Sequence, residues 1–128
     1  MESGLEEYYI VVERAIKLVT TEDGGMTVLK YNFDTGRFDY GMEYLSRVMF
    51  GKDDVENVSE DDFVQHVEKL RGHTLKGKGS VYDLYDLINT IEDNAKEKGQ
   101  ELTIEEKALI VAIRKQTFAL FEETYKSG

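Results

Sequence analysis

The 128-residue chain contains no cysteine and no proline. Without cysteine there is no disulfide, no thiolate nucleophile and no zinc-finger site. Without proline there is no X-Pro bond whose isomerisation would slow folding. Long apolar runs are missing too, and none approaches the ~18–20 residues of a membrane-spanning helix. The opening MESGLEEYY carries acids where a secretory signal carries a basic segment. These absences lead to the expectation of a soluble, cytoplasmic protein without membrane contact.

Positive charge is also scarce. Lys and Arg number 16 against 26 Asp and Glu, a formal net charge of −10. Nucleic-acid binding rests on phosphate neutralisation, so direct contact with nucleic acid is not expected. A basic protein surface is the natural partner for such a chain. With 41% hydrophobic and 11% aromatic residues the chain can bury a core.

Along residues 5–20, Leu5, Tyr8, Val12, Ala15, Ile16 and Val19 recur at helical spacing, which predicts a helix; YYIVV (8–12) is β-prone and makes a strand the competing reading there. EDGG (22–25) interrupts the pattern. MTVLKYNF (26–33) alternates Leu29, Tyr31 and Phe33 onto one face, and Asp34-Thr35-Gly36 turns the chain toward residues 37–40. That is a β-hairpin. GMEYLSRVMFG (41–51) places Met42, Leu45 and Met49 at helical spacing. Ser59 with Asp62 opens another helix, with Phe63, Val67 and Leu70 inward and Gly72 closing it. Ser80 with Asp83 opens the next, whose apolar face is Val81, Leu84, Leu87, Ile88, Ile91 and Ala95. Thr103 and Glu106 form a capping box for the last helix. There ALIVAI (108–113) is apolar almost all round, which predicts the central helix of the fold or one covered by a partner subunit. The expected architecture is α+β or mainly α. Residues 1–128 form a compact single domain of about five helices with one β-hairpin near residues 26–40.

No catalytic constellation emerges. Of the five serines, Ser3 and Ser127 are terminal, Ser59 and Ser80 read as caps, and Ser46 lies in a short helix away from any nucleophile elbow. Asp62 and His66 share a helix face, but His73 lies past Gly72, so a surface Asp–His pair is preferred to a metal site. KDDVENVSEDD (52–62) lacks the order and central glycine of a calcium loop. Nothing calls for a cofactor, and a non-enzyme is expected.

Two charged stretches remain. Glu60, Asp61 and Asp62 complement a helix dipole. Asp53, Asp54 and Glu56 read as loop acids, and are the candidates for contacting a basic partner. The second stretch, GHTLKGKGS (72–80), approaches the phosphate-binding pattern G-x-x-x-x-G-K-[ST], but Gly79 stands where a hydroxyl is required. The preceding segment reads as helix rather than strand, which rules against a nucleotide-hydrolysing loop. From Lys69 to Tyr82 there is no acid; four Lys and Arg residues give a local +4, so the remainder of the chain sums to −14. Glycine-rich backbone leading into a helix start suits an anion, and Arg71, His73, Lys76, Lys78 and Ser80 are its candidate ligands.

Three functional expectations follow. The first is a non-catalytic binding protein that masks a basic surface of a target, a nucleic-acid-binding one included, as inhibitors, immunity proteins and anti-defence proteins do. The second is a module holding a phosphate or nucleotide at residues 71–80. The third is the structural subunit of a homo-oligomer built on the ALIVAI helix.

Overall fold

Among residues 4–51 and 54–125, which the computed structural model describes, five strands form one antiparallel sheet and four α-helices pack around it. Strands β1 (Gly4–Val11) and β2 (Arg14–Thr21) form a hairpin in which Gly4 faces Thr21 and Val11 faces Arg14. This overturns the helix expected over residues 5–20. The expected hairpin is present as β3 (Met26–Tyr31) and β4 (Phe38–Tyr40). A fifth strand, β5 (Val55–Val58), pairs with the free side of β1, giving the order β4-β3-β2-β1-β5. The class is therefore α+β, but about five helices with one hairpin is wrong: the chain has a full sheet.

The physical reason is that the sheet is covered on both faces. Val11, Ile16, Leu18 and Val28 form a cluster on one face with Val48 of the short helix α1 (Leu45–Phe50). Ala15, Tyr31 and Phe38 pack on the other with Phe63 and Val67 of α2 (Glu60–Thr74). Adjacent residues such as Ala15 and Ile16 are thus both buried, on opposite faces. Two-sided burial erases the apolar–polar alternation of a half-wet strand and imitates helical spacing.

A 3-10 turn over Met42–Tyr44 leads into α1, and the two carry the chain from the β4 edge to the β5 edge. Ser59 caps α2 as expected, its Oγ accepting the Asp62 N–H at 3.1 Å. Gly72 does not end α2, which runs on to Thr74. Helix α3 (Ser80–Glu97) has Gly79, at φ 120°, as its N-cap, so Ser80 is the first helical residue and not the cap. Thr103 and Glu106 form the full capping box of α4 (Ile104–Thr124).

Helix α2, not α4, is the central helix. It packs on the sheet through Phe63 and Val67, and carries the fully buried Glu68 and Arg71 toward α3 and α4. On α4 only one side is buried, through Ile110, Ile113, Thr117 and Phe121; Ile104, Ala108, Leu109, Val111 and Ala112 are exposed. No helix among the described residues is long and apolar enough to cross a membrane.

Candidate functional site

The loop between β1 and β2 is two residues, Val12 and Glu13. Tight hairpins need a residue with positive φ, normally glycine or asparagine. Here Val12 takes it, at φ 61°, the single non-glycine residue in that region among the described residues. A β-branched side chain is strained there, because Cβ crowds the backbone carbonyl. Two outside hydrogen bonds hold the turn. The Val12 N–H donates to the Asp54 carbonyl at 3.0 Å, and His66 Nε2 donates to the Glu13 carbonyl at 2.7 Å. A carbonyl can only accept, so His66 carries its proton on Nε2. His66 is thereby a clamp on the hairpin tip. Among the described residues no three His, Asp or Glu side chains gather to hold a metal.

Val12 is 71% exposed, so burial within the chain offsets little of this strain. It borders a surface cleft of about 300 Å³ with Arg14, Phe33, Tyr44 and Arg47. Arg14 donates to the Tyr31 carbonyl at 2.9 Å, and its guanidinium lies 4.7 Å from the centre of the Phe33 ring. Met49 and Phe50, on the helix that carries Arg47, are also exposed.

The structure brings part of the acidic trio to this end of the sheet. Asp53 lies outside the described residues. Asp54 adjoins Val12 through the backbone bond above and pairs with Arg47, so its charge is already met in part. Glu56 is exposed, but in strand β5 opposite Ile10 and not in a loop as expected. Near it, Tyr8 donates to Glu6 at 2.7 Å, and burial with the nearby charges of Glu6 and Glu60 pushes the Tyr8 phenol well above its ordinary range. Glu6 and Glu60 therefore share the surroundings of Tyr8, while Glu56, opposite Ile10, lies further along β5 toward Asp54.

The anion candidates separate. Arg71 turns inward and is fully buried, which removes it as a ligand. Its Nε donates to the Gly36 carbonyl at 2.8 Å, and its two terminal nitrogens donate to Glu68 (2.7 Å) and Glu122 (2.6 Å). The Phe121 ring lies 3.8 Å from its centre. His73 and Lys76 share a cleft of about 260 Å³ with Asn89 and Asp86, whose carboxylate opposes an anion. Lys78 and Ser80 are exposed and do not line that cleft. His73 also lies 3.3 Å from Glu92.

Sequence reasoning missed the polar cluster around Arg71. Glu68 accepts from Tyr85 (2.7 Å), Thr117 (2.6 Å) and Arg71. Burial raises the Glu68 carboxyl above its usual range, while Arg71, Thr117 and Tyr85 pull it back. Val12 was hidden as well, because a turn without glycine, asparagine or proline leaves no mark in the sequence. The i, i+3 spacing of Glu68 and Arg71 was visible, but it is equally common on wet helix faces. Comparison with family models, with curated proteins and with solved structures returns no match to the chain.

Proposed function

We propose that this is a non-catalytic binding protein that covers a basic surface of a target protein. Its contact surface is the end of the sheet made by Val12, Glu13, Phe33, Asp54 and Glu56. The observation that carries this reading is Val12, a strained valine held in place by Asp54 and His66 with its side chain in water. Backbone strain persists where the surroundings enforce it, and it concentrates at sites of recognition. Val12 borders Arg14 and Arg47 in its cleft and meets Asp54 on its β5 side, and with Glu13, Asp54 and Glu56 exposed this end offers an apolar anchor beside acids to a partner with a small apolar pocket and a basic flank.

The test is affinity capture from the native host with wild type, Val12→Gly and a D54K/E56K double variant, followed by binding kinetics on the recovered partner. The expected result is loss of retention by Val12→Gly, with slower and less salt-dependent association by D54K/E56K. Equal retention of one partner by all three proteins overturns the reading. The phosphate-binding alternative is supported only by His73 and Lys76 sharing a cleft, and Asp86 stands against it.

The homo-oligomer reading is favoured by one observation, the exposed apolar side of α4 at Ile104, Ala108, Val111 and Ala112. Sedimentation of wild type and Val111→Glu across a concentration series decides it. Concentration-dependent dimerisation that the variant abolishes supports it, and a monomer throughout ends it.

A further inference from the structure

Strand β5 closes one side of the sheet, and among the described residues it pairs only with β1. The register shows which of its backbone groups are open. Val12 donates to the Asp54 carbonyl, and these residues continue the pairing of Val11 with Val55 by one step. In an antiparallel ladder, hydrogen-bonded and non-hydrogen-bonded pairs alternate. Pairs 12–54, 10–56 and 8–58 are therefore the bonded ones. Glu56 and Val58 direct their backbone groups into the sheet, while Val55 and Asn57 direct theirs outward, past its edge.

We infer that this edge receives an extended, basic segment of the partner as a sixth strand. The inference rests on the acidic-surface reading above and specifies how that surface binds. An open edge offers main-chain hydrogen bonds to any extended chain, and side-chain chemistry selects which. Glu56 lies on the α2 side of the sheet, with Asp54 exposed just before β5 and Glu60 exposed just after it. On the opposite side the edge presents Val55 and Asn57, which carry no charge. A strand alternating Lys or Arg with apolar residues matches both sides. The same acids exclude a second copy of β5, because two such edges would set Glu56 and its neighbours against like charge.

The probe is a capped Lys-Val-Lys-Val-Lys-Val peptide, followed by amide hydrogen exchange on the full chain. Binding is expected to slow exchange at Val55 and Asn57 by ~10-fold or more, and to change Glu56 and Val58 little, since those are bonded to β1 already. A Glu-Val-Glu-Val-Glu-Val peptide is expected to produce no change. Asn57→Pro removes an outward N–H, and proline is tolerated on an edge strand where that N–H faces solvent. This variant is expected to lose peptide binding. A peptide N-methylated on alternate residues makes the same test from the ligand side without altering the protein. Binding by both Asn57→Pro and the N-methylated peptide, together with loss in D54K/E56K, overturns strand addition and leaves the acidic surface standing. Binding unchanged in D54K/E56K overturns the acidic surface itself. Protection that appears away from β5 overturns the edge assignment.

Discussion

The Arg71 cluster and the Val12–β5 margin are opposites. The first places a guanidinium and a carboxylate in the interior, where every hydrogen bond to them comes from the chain itself: Gly36, Tyr85, Thr117 and Glu122. The second places a valine side chain and the outward backbone groups of a strand in water. Buried charge is costly unless paired, and the interior shows the pairing completed within the molecule. The margin shows groups that the fold has ordered and that have no partner among the described residues. The difference separates residues that hold the protein together from those available to something else.

The most severe way to break the contrast is Arg71→Ala. It leaves the buried Glu68 with the Tyr85 and Thr117 hydroxyls but no countercharge, and a loss of about 3–5 kcal/mol in urea-induced unfolding is expected. The paired change E68Q/R71M is expected to recover part of that loss, because the fully buried charges leave together and only the part-exposed Glu122 stays unpaired. If Arg71→Ala costs under about 1 kcal/mol, the cluster is not a structural centre.

At the margin the sign reverses. Val12→Gly removes left-handed strain and is expected to raise stability by about 1 kcal/mol while weakening partner binding. A loss of stability would mean that the valine packs productively within the fold.

The difference between wild type and Glu68→Gln isolates Glu68 in the pH dependence. Its folded pKa is raised above the unfolded value, so the folded state binds this proton more tightly. The stability it contributes is present below the ordinary glutamate range and is lost as pH rises through the raised value. Wild type is therefore expected to gain on Glu68→Gln as pH falls through that window. A difference that stays flat in pH-resolved denaturation would remove the assignment.

The smallest effect belongs to D54K/E56K. Exposed ion pairs contribute little, so stability is expected to shift by about 0.5 kcal/mol or less while association with the partner slows.

How far the sequence reveals all this follows the physics of each element. The hairpin at 26–40 and the caps at Ser59 and Thr103 are local, and their residue types announce them. Strand β1 is announced only in part, by the β-prone YYIVV, and β2 not at all, because burial on both faces puts Ala15 beside Ile16 with no alternation. Strand β5 is concealed by its charge, as Glu56 and Asn57 read as loop residues. ALIVAI invites the central place by composition, yet EKLR of α2 takes it because Arg71 and Glu68 neutralise each other there. Of the proposed contact surface, the acids Asp54 and Glu56 were legible from charge density. Their neighbour Val12 was not, since it meets Asp54 only across the sheet.

Arg71 has a consequence for the order in which the molecule assembles. Its bonds to Gly36 and Glu122 join residues 35 and 51 positions away along the chain. Closing such distant contacts is entropically slow, and a desolvated guanidinium finds its acceptors only once the strands and helices have already docked. The guanidinium thus acts as a latch fastened after the folding barrier has been crossed. Contacts made that late slow escape from the native state more than they hasten its formation. Weakening the latch should leave the refolding rate nearly untouched and shorten the lifetime of the folded protein.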